Sequence, residues 1–179
     1  VAVYDDPTYV DTSSGPYAES DAVQASLAAL GYNVTTFTGT SAAAFASGLA
    51  GADVLLIPEL ENGDLSAALA PGAVDEIEQF VDAGGGFLVH GVYQSYEDRP
   101  INLLNGVFGF SVAVGDHYLN SARHPAAADS EFSDAPLVLP EFSHTASLDR
   151  SSLPANSTEV YLNGDNATVA WMHYGNGRV

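Results

Sequence analysis

Short strand-like segments alternate with helix-spaced stretches through the first half of this chain, and that beat limits the available folds more than any other feature. Val1-Ala2-Val3-Tyr4 is an apolar run that ends at Asp5-Asp6. Ser20 or Asp21 is placed to cap a helix carrying Val23, Leu27 and Leu30 on one face, with Gly31 just past its end. Residues 32–37 alternate and are rich in β-branched side chains, and Ser41 is placed to cap a short helix through Phe45 and Leu49. Residues 53–58 have the composition of a strand buried on both faces. Between residues 73 and 83, Val74, Ile77, Phe80 and Val81 form one stripe, with Pro71 near the start. Gly84-Gly85-Gly86 ends that helix before the strand Phe87-Leu88-Val89-His90.

Strand and helix in this rhythm predict right-handed βαβ units and a mostly parallel sheet covered on both faces, a doubly wound α/β domain. With 179 residues, 46% of them hydrophobic, the chain is expected to form one domain over residues 1–179. After Pro100 the beat weakens. Residues 101–108 read as a helix, 110–114 as a strand, and 116–145 have no clear period. Residues 159–162 and 168–173, separated by Asn163-Gly164-Asp165-Asn166, predict an antiparallel C-terminal hairpin at the edge of the sheet. Tyr174-Gly175-Asn176-Gly177-Arg178-Val179 reads as a turn into a strand that does not arrive, so the chain is expected to be truncated there and to belong to a larger protein.

Charge excludes several partners. Twenty-three Asp and Glu face four basic residues, all arginine, for a formal net charge of -19. Without clustered Lys and Arg, binding to nucleic acid or an anionic membrane is disfavoured. No apolar run approaches the length of a membrane-spanning helix. Divalent cations, calcium or zinc, are the expected ionic partners. An acidic, lysine-free surface stays hydrated in high salt, which points to a secreted, extracellular protein in a saline setting. The chain has no cysteine, so disulfides, thiolate metal sites and a cysteine nucleophile are excluded.

In parallel α/β sheets, ligands sit beyond the carboxyl ends of the strands. There the first strand delivers Asp5 and Asp6, the third Glu59 and Glu61, and the fourth His90. Glu59, Glu61 and His90 are candidates for general acid and base. Asp5 and Asp6, with Tyr9 and Ser14 from the long loop over residues 7–19 and Tyr93 beyond the fourth strand, are candidate ligand contacts. That loop also carries Asp11 and Tyr17. His117 and His124 are seven apart, two turns on one face if helical, and with Asp116 are candidate metal ligands. No glycine-rich dinucleotide loop and no Gly-x-Ser-x-Gly elbow is present, so no nucleotide is expected.

Residues 1 to about 115 resemble the class I glutamine amidotransferase-like domains, a flavodoxin-like group that includes ThuA-like proteins. The segments that carry the likeness are residues 1–5, 27–34, 52–58 and 80–91, the last containing Gly84-Gly85-Gly86-Phe87-Leu88-Val89-His90-Gly91. The resemblance implies a flavodoxin-like sheet. It does not carry the glutaminase chemistry, because the turn that holds the family's cysteine reads Val89-His90-Gly91-Val92-Tyr93 and no His-x-Glu follows.

Three functions are compatible with these residues. One is a noncatalytic binding or interaction module that takes a small molecule or other domains of a larger chain. The second is a hydrolase acting on a sugar, amide or lactone through Glu59 or Glu61 and His90. The third is a divalent-cation-binding domain built from Asp5, Asp6 and the glutamates.

Overall fold

A computed structural model describes residues 1–13, 15, 18–117, 120–140 and 145–179. The four predicted strands are present as β1 (Ala2–Tyr4), β2 (Thr35–Phe37), β3 (Val54–Ile57) and β4 (Gly86–Val89). They are parallel neighbours in the order β2-β1-β3-β4, with Val54 to Ile57 in register with Gly86 to Val89. Helices α1 (Glu19–Ala29), α2 (Ala42–Leu49) and α3 (Pro71–Asp82) make the crossovers, and α4 (Asp98–Phe108) follows β4. The result is a mixed α/β fold with a mostly parallel central sheet.

The core lies between the sheet and α2, α3 and α4. Ala2, Tyr4, Leu55, Ile57 and Phe87 meet Phe45, Ile77, Val81, Leu103 and Phe108 in one buried cluster. Because strand side chains alternate, Val3 and Leu56 point to the other face, where they are buried while Leu88 stays 48% exposed. Ser41 caps α2 as its sequence predicts, accepting from the Ala44 amide. The α1 cap is corrected: the helix starts at Glu19 behind Ala18, which makes no side-chain cap. Ser20 is drawn off instead, its hydroxyl donating to Asp5 Oδ1 at 2.6 Å.

The C-terminal half departs further. Residues 110–114 are no strand, apart from a single bridge between Val114 and Leu148. Side chains satisfy that backbone: Asn105 bonds both the amide and the carbonyl of Val112, and Ser152 Oγ accepts from Ala113. Strands β5 (Ser121–Arg123), β6 (Val138–Leu139) and β7 (Leu148–Asp149) are too short to show a period. The predicted hairpin exists as β8 (Ser157–Asn163) and β9 (Asn166–Tyr174), antiparallel as expected, but it is not at the edge. The second strand of the terminal turn does form, as β10 (Gly177–Arg178), which pairs parallel with β4 and antiparallel with β9. It therefore joins the hairpin to the parallel strands, and the full order is β2-β1-β3-β4-β10-β9-β8-β5-β6, with β7 on β9. Among the described residues no helix is long and apolar enough to cross a membrane.

Candidate functional site

The carboxyl ends of β3 and β4 open onto a cavity of about 330 Å³. Its wall is largely apolar, including Phe87, Ile101, Leu104 and Met172, and Glu59, His90 and Glu97 are its ionisable members. Glu59 arrives there because Pro58 ends β3, and His90 because its amide donates to the Ile57 carbonyl, continuing the β3–β4 ladder by one residue. Two of the expected acid–base residues thus share one cavity. Among the described residues no hydrogen bond or ion pair joins them. His90 is half-buried, and burial pulls its imidazole below the ordinary value, so it is neutral at neutral pH.

Glu61 sits apart from that cavity in a group with Asp11 and Glu19, whose carboxylate oxygens lie within 4.8 Å of one another. Burial, with Glu19 and Glu61 beside it, pushes Glu59 up to about 8. Glu61 is raised by burial, Glu19 and Asp11, against the opposing charge of Arg99. Arg99 does not form an ion pair with these carboxylates among the described residues. Its Nη1 donates to the carbonyls of Leu60 at 2.7 Å and Glu61 at 2.5 Å, and its guanidinium lies over the Tyr96 ring at 4.0 Å. Glu19 Oε2 and Glu97 Oε2 are buried without a hydrogen-bond partner among the described residues.

The remaining candidates divide. Asp6 has a loop-building role: burial would raise its carboxyl, but the amides of Thr8 and Gly39, each 3.0 Å away, hold it below the ordinary value. Asp5 is bound to Ser20. Tyr9 packs on the Tyr4 ring at 6.2 Å and lies in the loop that Asn62 pins through the carbonyls of Pro7 and Val10. Tyr93 is exposed and bridges to Thr145. Ser14 and Tyr17 lie outside the described residues. The helical premise for His117 and His124 is corrected, since β5 occupies residues 121–123 between them. His124 stands 3.7 Å from Glu159 and accepts from the Ala126 amide through Nδ1, whereas Asp116 is held by Asn166. Among the described residues, neither histidine belongs to a group of three close donors.

Sequence reasoning did not find Glu19, Glu97 or Arg99 as site residues. Glu19, at the start of α1, meets Glu61 only in the folded chain, and no spacing rule encodes that. Glu97 gave no signal either, because the helix predicted over 101–108 in fact begins at Asp98, directly after Glu97.

The Glu59 shift predicts a pH dependence. The folded value lies above the ordinary glutamate value of about 4.5 in the unfolded chain, so the favourable contribution is full below about 4.5 and is lost as pH rises through about 8. Glu59→Gln is expected to remove that loss. Relative to wild type it gains stability between pH 5 and 9 by ~2 kcal/mol, roughly half the unscreened linkage value because the carboxyl partly reaches water. Urea melts of both proteins at the two pH values check this, and parallel curves would contradict it.

No protein-family model matches the chain, and no curated protein matches it. Two solved structures are similar in fold. One is a cytoplasmic protein, STM1381, from Salmonella typhimurium LT2, with a TM-score of 0.60 and 14% identity over 89% of this chain and 73% of that one. The other is the exo-beta-1,4-mannosidase Op5Man5 from Opitutaceae bacterium strain TAV5, with a TM-score of 0.52 and 13% identity over 99% of this chain and 29% of that one. At such identities the likeness is one of fold alone.

Proposed function

We propose that this domain is a noncatalytic binding module that holds a small molecule in the cavity beyond β3 and β4. The observation that carries the reading is the cavity itself, about 330 Å³ with an apolar wall and three ionisable residues, at the sheet end where such folds place ligands. Within the described residues His90 touches neither Glu59 nor a hydroxyl by hydrogen bond, so no nucleophile–base pair is assembled. Ser147, the wall serine nearest in type to a nucleophile, spends its hydroxyl on the Asp116 carbonyl and Asn166. In the finer reading the sheet is a doubly wound, flavodoxin-like one of the ThuA-like branch, which the order β2-β1-β3-β4 supports. The acidic surface supports a saline, extracellular setting and partners that are not nucleic acid.

Hydrolysis is the second reading, favoured by one observation. Glu59 keeps its proton near neutral pH while His90 is neutral across the same cavity, which presets an acid and a base. The experiment pairs two measurements: ligand-observed NMR against a fragment set, and a turnover screen on esters, lactones, amides and aryl glycosides. Binding without turnover is expected. Turnover that His90→Ala abolishes at unchanged melting temperature would establish hydrolysis instead.

A further inference from the structure

The cavity has a mismatch between its acceptors and its donors. Glu97 Oε2 is buried with no partner, and Glu59 makes no hydrogen bond or ion pair among the described residues. Glu19, whose Oε2 is equally buried and unpartnered, and Glu61 stand beside Glu59 and add negative charge from the flank. The nearby cation, Arg99, donates Nη1 to two backbone carbonyls and forms no ion pair with these carboxylates among the described residues. His90 adds no positive charge, because burial keeps it neutral. A buried acceptor without a donor is costly, and a buried carboxylate more so. Whatever binds here gains most by bringing donors and positive charge.

We infer that the ligand of this cavity is a protonated primary amine on a compact apolar body, its ammonium paired with Glu59 and Glu97 and its apolar part against Phe87, Ile101, Leu104 and Met172. This rests on the cavity being the binding site. An ammonium supplies three donors and one charge, which matches two carboxyl groups lacking partners. A volume of about 330 Å³ lies at the small end of ligand pockets and sets the body at one ring or a short branched chain. A bare divalent cation fits this cavity less well, since hard cations take six to eight oxygens and most of this wall offers carbon. A neutral alcohol can donate to Glu97 but supplies one donor where an ammonium supplies three. Because Glu59 holds its proton in the free domain, an arriving ammonium displaces it, and the ammonium–carboxylate pair then forms inside the cavity.

The test is isothermal titration with cyclohexylmethylamine and cyclohexylmethanol near pH 7 in about 1 M NaCl, where a Debye length of about 3 Å suppresses attraction to the acidic surface. Two buffers of different ionisation enthalpy count released protons. The amine is expected to bind about tenfold or more tightly than the alcohol. It should release close to one proton, and lose its preference in Glu59→Gln, whose retained melting temperature shows that the fold survives. Equal affinity for alcohol and amine would overturn the inference while leaving the cavity as a binding site. An amine preference that Glu59→Gln leaves intact would overturn it too, as attraction to the surface. Binding of neither probe also overturns it, and the fragment screen above then judges the cavity reading on its own.

Discussion

Between about 0.05 M and about 2 M NaCl the melting temperature of this domain is expected to rise by on the order of 10 °C. The cause is charge that the fold does not neutralise. Against a net charge of -19 the chain has four arginines, and among the described residues only two of them pair with carboxylates, Arg150 with Glu159 and Arg178 with Glu131. Arg99 and Arg123 spend their guanidinium groups on backbone carbonyls. Most acids therefore repel one another through solvent, and unfolding relieves that repulsion by spreading them apart. Salt removes the incentive. A shift of about 10 °C corresponds to roughly 3 kcal/mol for a chain of this size, a large share of an ordinary domain's stability. Calorimetry across the salt series decides it, and a melting temperature that stays flat would refute the argument. Calcium chloride at matched ionic strength separates mechanisms. An equal rise means screening, whereas a larger one means coordination, for which Asp11, Glu19 and Glu61 gather three carboxylates within 4.8 Å.

What the sequence disclosed and what it hid follow from the range of the interactions involved. Strands β1, β3 and β4 were legible because each is a short apolar run whose residues go into a sheet, and the Gly84-Gly85-Gly86 stop is written in the chain itself. Ser41 was legible as a cap because capping is decided within three residues. The carboxyl-end rule then brought Glu59 and His90 to one cavity without any knowledge of side-chain contacts. Ser20 misled for the opposite reason: the same hydroxyl that could cap α1 locally finds Asp5 across the chain. His117 and His124 misled because a seven-residue spacing means one face only in a helix, and the intervening residues form β5. Arg99 gave no signal, since its partners are carbonyls of a segment 38 and 39 residues away. Strand β10 was the hardest element to foresee. Its two residues carry no strand pattern, and its place beside β4 depends on a close approach that only the fold reveals.

That close approach supplies the largest single-substitution effect. A Cβ on Gly177 would lie 2.2 Å from the Val81 carbonyl oxygen and 2.3 Å from that of Gly85, where α3 ends and β4 begins. Both obstacles are backbone, so no side chain can swing aside, and β10 itself must move. It is tied on both sides: Asn176 donates its amide and its Nδ2 to the Asp82 carbonyl, and the Met172 and Val179 amides exchange bonds with each other's carbonyls. Displacing β10 therefore parts the parallel strands from the β8–β9 hairpin and disturbs Met172 and Val179, which line the cavity. Gly177→Ala is expected to cost about 3 kcal/mol, at the upper end for overpacking, and to lower the melting temperature by roughly 10 °C. Gly164→Ala provides the contrast. Its φ of 58° strains an alanine, but open space surrounds the added methyl, so the loss should stay near 1 kcal/mol. Equal losses in the two variants would mean that backbone conformation, not the packing of β10 against the α3–β4 corner, sets the cost, and the joining role given to this two-residue strand would fall with it.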